Sequence, residues 1–140
     1  MTEIWRAEPG GEARIKAAEH LFDDAVDIAA TQRFLADSAN ALLIAYVDGQ
    51  AAGFVTGTEV LHPDKQQPEL FLNELAVDER HRGRGIGRAL VRELWRQAQA
   101  GGCRGMWVLT DRENAAANKV YAAAGGTNAG SQVMYEWGES

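Results

Sequence analysis

The hydrophobic positions change period several times along the chain, and each change marks an element. Ile4 to Ala7 is a short run of strand character, stopped by Pro9-Gly10-Gly11. Ile15, Ala18, Leu21, Phe22 and Ala25 then fall at helical spacing and predict a helix from about Glu12 to Val26. Thr31 reads as the N-cap of a short second helix carrying Phe34 and Leu35. Ala41 to Val47 is a continuous apolar run, Asp48-Gly49 a tight turn and Ala51 to Val60 an antiparallel return, which together predict a hairpin. Leu61 to Pro68 reads as a polar loop and Glu69 to Val77 as the next strand. The period then lengthens, because Ile86, Leu90, Val91, Leu94 and Ala98 form a helical stripe that stops at Gly101-Gly102. Gly105 to Thr110 predicts a strand, Ala117, Val120, Tyr121 and Ala124 a last helix closed by Gly125-Gly126, and Ser131 to Trp137 a final strand.

Strand, helix and strand from Glu69 to Thr110 imply a βαβ unit with parallel strands, whereas the earlier hairpin is antiparallel. The expected fold class is therefore α+β, a mixed central sheet with helices on both faces. A length of 140 residues without repeats or low-complexity stretches points to a single domain over 1–140, able to bury roughly 68% of its unfolded surface. With 46% hydrophobic and 24% charged residues the chain has enough apolar area to offset its ordering entropy, which excludes disorder as the main state.

The single cysteine, Cys103, excludes an intramolecular disulfide, and His20, His62 and His81 show no ligand spacing, so no metal site is expected. No run reaches about 18 apolar residues and the start lacks a basic leader pattern, so the expected compartment is the cytoplasm, with no membrane partner. The formal net charge of −6 conceals a division. Met1 to Glu79 carries 5 basic and 15 acidic residues, and Arg80 to Ser140 carries 9 basic and 5 acidic. One half suits a cationic partner and the other an anionic one, while the overall sign argues against nucleic acid. Trp5, Trp95, Trp107 and Trp137 accordingly read as core or interface.

The basic half opens with Arg80-His81-Arg82-Gly83-Arg84-Gly85-Ile86-Gly87-Arg88, between a strand and the long helix. Helix N-termini offer unpaired N–H groups and a positive dipole end, and glycines let backbone approach an anion, so the segment points to phosphate. A P-loop would end in Gly-Lys-Ser/Thr, but Gly87 is followed by Arg88-Ala89. A dinucleotide fold would need the GxGxxG spacing and an acidic residue about 20 positions on; here Gly83, Gly85 and Gly87 alternate and the acid is missing.

Arg82-Gly83-Arg84-Gly85-Ile86-Gly87 resembles the [RQ]-x-x-G-x-[GA] pyrophosphate loop of the GNAT superfamily of acetyl-CoA-dependent N-acetyltransferases. Asn114-Ala115-Ala116-Ala117-Asn118-Lys119-Val120-Tyr121-Ala122-Ala123-Ala124-Gly125 resembles the same family's N-x-x-A-x-x-[LV]-Y-x-x-x-G helix, in the right order and at the right distance. Gly126 departs from the pattern, where the family usually has Phe. Shorter segments, Leu61 to Glu69, Phe71 to Val77, Leu109-Thr110-Asp111 and Val133-Met134-Tyr135, are similar to GNAT-type aminoglycoside 3-N-acetyltransferases.

The resemblance implies direct attack of an amine on the thioester of acetyl-CoA in a ternary complex, with no protein nucleophile; Cys103 then reads as a structural thiol. The backbone of Gly83, Gly85, Ile86 and Gly87, with Arg82 and Arg88, would bind pyrophosphate, and Arg84 and Arg80 would lie near the adenosine phosphate or face water. Leu75, Ala76 and Val77 would hold the pantetheine as an added strand, the Val77 N–H serving as oxyanion donor. Glu74 interrupts an apolar strand whose alternation places it with Leu70 and Leu72, and it is the expected base, directly or through water; an ion pair with a neighbouring arginine is its structural alternative. Tyr121 is the expected acid for the thiolate, or else one more member of its core stripe, and Asn114 binds pantetheine or caps its helix. Asp111 and Glu113, with Asp23, Asp24 and Asp27 at the end of the first helix, are candidate carboxylates for a polycationic aminoglycoside. Another small polyamine, a protein amine, or a non-catalytic acyl-CoA-binding role are the alternatives. The family is often dimeric, which makes a homodimer an expectation.

Overall fold

The computed structural model describes residues 2–139. Five strands form one sheet in the order β1 (Thr2–Arg6), β2 (Asn40–Val47), β3 (Gln50–His62), β4 (Lys65–Val77) and β5 (Gly105–Trp107). The first four pair antiparallel, and β5 pairs parallel with β4 after the crossover helix α3 (Ile86–Ala100), as the βαβ pattern requires. Helices α1 (Glu12–Ala17) and α2 (Ile28–Ala36) cover one face, and α3 with α4 (Ala115–Ala123) covers the other. The mixed α+β sheet with helices on both faces is therefore present.

Alternation of the strands divides the core in two. Leu43, Ala45, Val55, Leu70 and Leu72 face α3 and meet its stripe of Ile86, Leu90, Val91, Leu94 and Ala98. Leu42, Ile44 and Phe54 face the other way and meet Ile15, Ala18, Leu21 and Leu35. Leu43, Ile44, Leu72, Leu90, Leu94 and Val55 are fully enclosed, each worth roughly 1.5–3 kcal/mol of transfer free energy.

Several elements differ from the sequence expectation for identifiable reasons. The first helix stops at Ala17 instead of Val26, followed by a 3-10 turn at Glu19–Leu21. There the Glu19 carboxylate accepts from the Val26 N–H at 3.1 Å and Lys16 donates to the Val26 carbonyl at 3.2 Å, folding the chain back so that Phe22 stacks on Phe54 at 4.1 Å. Asp23, Asp24 and Asp27 consequently lie beyond any end of α1, on the connection to α2. Asp27, not Thr31, caps α2: its Oδ1 accepts from the Ala30 N–H at 2.8 Å, and Thr31 sits inside the first turn, donating to the Asp27 carbonyl at 2.7 Å. The expected loop from Leu61 to Pro68 is instead the closed end of a long hairpin, with His62 opposite Lys65 and an irregularity after Val60. Residue exposure there hid backbone pairing from a hydrophobic pattern. β5 ends at Trp107, short of Thr110, and residues 126–139 form no strand, so the expected final strand at Ser131 to Trp137 is absent.

One turn sets the direction of α3. Asp78 donates its N–H to the Ala52 carbonyl at 2.7 Å, and its carboxylate accepts from the Arg80 N–H at 3.1 Å and from the Arg80 guanidinium at 3.0 Å. These Arg80 hydrogen bonds hold the Asp78 carboxyl at about 2. That lies below the unfolded value near 3.9, so the contribution is complete above about pH 4 and is lost as pH falls toward 2. Melting temperatures of wild type and Asp78→Asn are therefore expected to differ from pH 4 to 8 and to converge near pH 2; a gap unchanged at pH 2 contradicts the ion-pair account. A second expectation concerns Gly53, where an added Cβ would stand 2.9 Å from the Ala76 carbonyl oxygen and 3.2 Å from Leu90. Gly53→Ala should cost about 1–3 kcal/mol in urea unfolding, and an unaltered midpoint would show that α3 is not tightly seated.

Candidate active site

The site begins where two strands part. Parallel pairing of β4 with β5 covers only Glu69 to Phe71 opposite Gly105 to Trp107, leaving residues 72–77 of β4 without a strand on that side. Thr56 lies opposite Glu74 and Gly57 opposite Leu72, so Asn73 is the extra residue of a β-bulge. The bulge changes the phase of the strand. Leu70, Leu72, Leu75 and Val77 all pack toward α3, while Ala76 belongs to the opposite core. Glu74 therefore does not share a face with Leu70 and Leu72, as strict alternation required, but lies on the α1 and α2 side with Ala76.

The same bulge aims the backbone. Asp78 addresses β3 through its N–H, and successive strand residues alternate in the neighbour they address, so Leu75 and Val77 turn their N–H and C=O groups toward the open side. The Arg82 Nε donates to the Val77 carbonyl at 3.3 Å, which ties the glycine and arginine loop to this edge. A peptide-like ligand laid along the open seam would meet these groups as a neighbouring strand would.

At one end of the seam stands the N-terminus of α3. Gly83 and Gly85 have φ of +80° and +76°, with open space where a Cβ would project, so left-handed backbone rather than crowding calls for glycine. Gly85 caps α3 without a side-chain hydrogen bond. The Ala89 N–H reaches the Gly85 carbonyl at 3.0 Å, so the N–H groups of Ile86, Gly87 and Arg88 precede the first intrahelical bond and are free to meet an anion. Arg82, Arg84 and Arg88 are exposed, and among the described residues none is paired with a carboxylate, whereas Arg80 is committed to Asp78. Gly87 is different: it is buried, and a Cβ there would lie 3.3 Å from Val120, so its lack of a side chain lets α4 approach the loop.

Helix α4 carries Tyr121, half-buried against the α3-side core, where burial pushes its phenol above the usual value. Asn114 caps this helix by accepting from the Ala117 N–H at 3.0 Å. Asn118, which the sequence reading assigned no role, donates from Nδ2 to the carbonyls of Asn114 at 2.7 Å, Asp111 at 2.9 Å and Arg112 at 3.4 Å. It thus fixes the connection that carries Asp111 and Glu113, both exposed. A polar residue four positions after an asparagine cap, off the apolar stripe, was the available signal.

On the opposite face Glu74 is exposed and accepts from the Thr56 hydroxyl at 3.2 Å, Thr56 itself being 4% exposed. Thr56 is the second residue that the sequence reading left unassigned; a hydroxyl inside the apolar Phe54-Val55 run marked it. The carboxylate is held by a neutral donor, so the arginine pairing that was its alternative is not found among the described residues. Phe54, two positions before Thr56 on the same face, carries the Phe22 ring, and the exposed Asp23 and Asp24 follow directly. Asp23 and Asp24 are thus exposed on the α1 and α2 side of the sheet beside Phe22, Asp27 commits one oxygen to capping α2, and Asp111 and Glu113 lie on the connection from β5 to α4. Cys103 is buried, and burial raises its thiol, which makes it an inert group.

Comparison with known proteins agrees with this layout. The acetyltransferase (GNAT) family model matches residues 1–125. Rat (Rattus norvegicus) N-acetyltransferase 8 is 31% identical over 114 residues, covering 81% of this chain and 50% of the rat protein. An L-2,4-diaminobutyric acid acetyltransferase from Nocardia farcinica is 33% identical over 81 residues, covering 58% of this chain and 40% of its own. The chain thus spans about half the length of the curated relatives it matches. Among solved structures, an aminoglycoside acetyltransferase from an uncultured soil metagenomic sample, in complex with sisomicin, superposes with a TM-score of 0.90 at 17% identity over 99% of this chain and 97% of that one. Aminoglycoside N-acetyltransferase AAC(6')-Iy in complex with CoA superposes with a TM-score of 0.80 at 24% identity over 98% and 95%. A pyrophosphate-type loop, an open β4 edge and the family match converge on one conclusion: the chain belongs to the GNAT family of acetyltransferases.

Proposed function

We propose that this chain is an acetyl-CoA-dependent N-acetyltransferase that acylates the 3-amino group of aminoglycosides by direct attack in a ternary complex, and so confers antibiotic resistance. The observation that carries the reading is the seam between β4 and β5, opening beside an anion-ready helix N-terminus. When bound, the thioester supplies an activated acetyl carbonyl; the remaining work falls to the chain.

In this reading the N–H groups of Gly83, Gly85, Ile86 and Gly87 receive the pyrophosphate, with Arg82, Arg84 and Arg88 supplying charge. Leu75, Ala76 and Val77 hold the pantetheine along the open edge, and the Val77 N–H donates to the oxyanion. Asn114 holds the start of α4 and Asn118 the loop before it. Glu74 takes the ammonium proton, directly or through a water. The Thr56 hydroxyl occupies one of its oxygens, so the carboxylate orients without a competing cation. Tyr121 gives its proton to the leaving thiolate; burial raises the phenol, which keeps it protonated and a donor at neutral pH. Asp111, Glu113, Asp23 and Asp24, with the remaining oxygen of Asp27, supply carboxylates on both sides of the seam for a substrate with several ammonium groups.

The sisomicin complex of the metagenomic acetyltransferase supports an aminoglycoside in this fold. The choice of the 3-amino group rests on the short sequence resemblances, and the match to an AAC(6') enzyme makes product regiochemistry the point to measure. The diaminobutyrate-acetylating relative favours a small diamine as the second reading.

Thiol release from acetyl-CoA is expected with gentamicin and kanamycin above that with spermidine, L-2,4-diaminobutyrate and a lysine peptide, with NMR of the product locating the acetyl group. Release with none of the aminoglycosides removes the substrate claim, and a 6'-product moves the amine while keeping the class. Glu74→Gln is expected to lower kcat by about 10²-fold with little change in the KM for acetyl-CoA; an unchanged kcat removes Glu74 as the base.

A further inference from the structure

At the end of the sheet where β2 turns into β3, an open cleft of about 310 Å³ is lined by Arg14, His20, Tyr46, Gln50, Ala51 and Arg80. Its size is at the lower end of the range for small-molecule sites. None of these residues has a part in the proposed acetyl transfer. Arg14, His20 and Arg80 reach the cleft from three places in the chain: α1, the 3-10 turn after it and the turn that follows β4.

Arg14 is the least committed of the three. Its guanidinium lies over the Trp5 ring at 4.3 Å and the Tyr46 ring at 4.6 Å, and its Nε donates to the Tyr46 hydroxyl at 3.0 Å. Aromatic faces orient a guanidinium without cancelling its charge. Among the described residues Arg14 is paired with no carboxylate, so the N–H groups of its two terminal nitrogens remain for a ligand. Arg80 is held on Asp78 through Nε at 3.4 Å and Nη2 at 3.0 Å, which leaves Nη1. His20 Nε2 stands 3.2 Å from the Ala51 carbonyl and 3.5 Å from the Asp78 carboxylate; both neighbours are acceptors, so this nitrogen carries a proton and the ring is fixed. Asp78, with its side chain 11% exposed, is neutralised by Arg80, and the Arg14 charge is left in excess.

We propose that this cleft is a second anion site, separate from the α3 N-terminus, and that it takes a phosphate dianion, free or as a monoester. Donors set around one opening on three elements suit the three terminal oxygens of a phosphoryl group, whereas a carboxylate or a phosphodiester presents only two. The Arg14 fork meets such a group bidentately, and the Arg80 Nη1 and the Gln50 side chain border the same space. A bound dianion bridges α1, the β2–β3 turn and the Asp78–Arg80 turn, the last of which leads into the glycine loop. The inference stands whether or not the chain transfers acetyl groups.

The test is a nitrogen–proton NMR titration of the full chain with inorganic phosphate and, in a second arm, with glycerol phosphate, at constant ionic strength. Saturating shifts are expected at the Trp5 indole N–H and at the amides of Gln50 and Ala51, with no saturation by dimethyl phosphate, a monoanionic diester. Arg14→Gln is expected to weaken this response by about tenfold, while shifts at Gly85, Ile86 and Gly87, which report the α3 N-terminus, keep their wild-type midpoint. Tighter binding of glycerol phosphate identifies an organic monoester as the occupant and the reverse identifies free phosphate; both uphold the site. No saturating change at Trp5, Gln50 and Ala51, an equal response to dimethyl phosphate, or a response untouched by Arg14→Gln overturns it. Should Arg14→Gln unfold, the contrast between dianion and diester on the wild type decides.

Discussion

The structure depends on a parallel pairing that stops after three residues. Had the parallel pairing continued past Phe71 to the end of β4, the backbone groups of Leu75 and Val77 would be spent on an ordinary ladder and the sheet would be sealed. Instead the bulge at Asn73 and the end of β5 at Trp107 leave a gap through which the two faces of the sheet communicate. Glu74 stands on one face and Tyr121 packs on the other, so in the proposed reaction the proton acceptor and the proton donor belong to opposite sides of the sheet. Unpaired backbone N–H and C=O groups are tolerated because they border the open surface of a cleft; enclosed in a core they would demand partners.

The boundary between the two electrostatic halves of the sequence falls inside one turn. Acidic Asp78 and basic Arg80 straddle it and bind each other, and that single ion pair both terminates β4 and starts the approach to α3. Its cost to the loop is one arginine. The remaining cations, Arg82, Arg84 and Arg88, are paired with no carboxylate among the described residues and lie at the helix N-terminus, where backbone dipole and side-chain charge have the same sign.

The βαβ unit, the α3 stripe, the glycine loop and the cap at Asn114 were legible in the sequence because local signals and tertiary packing agree there. Where they conflict, the sequence misled. Helical spacing from Ile15 to Ala25 continued past Ala18, but stacking of Phe22 on Phe54 and the Glu19 carboxylate overrode it. Period-2 alternation put Glu74 beside Leu72, because an inserted bulge residue leaves no compositional trace. Thr56 and Asn118 escaped notice since their importance lies in which carboxylate and carbonyls they reach, a property of three-dimensional proximity. The hairpin end at His62 and Lys65 is held by backbone bonds between exposed residues, which hydrophobic patterning does not register.

Cys103, buried at the foot of α3, acquires a meaning from the proposed chemistry. The proposed acetyl transfer releases free coenzyme A, a thiol, at each turnover, and wherever dissolved oxygen takes up the two electrons an accessible protein thiol could be coupled to it as a mixed disulfide. Here the one thiol is shielded by the α3-side core and kept protonated by burial, so it is poorly placed for exchange. A chain carrying out the proposed transfer would thus sit beside its thiol product, even under mildly oxidising conditions, with its single thiol out of reach.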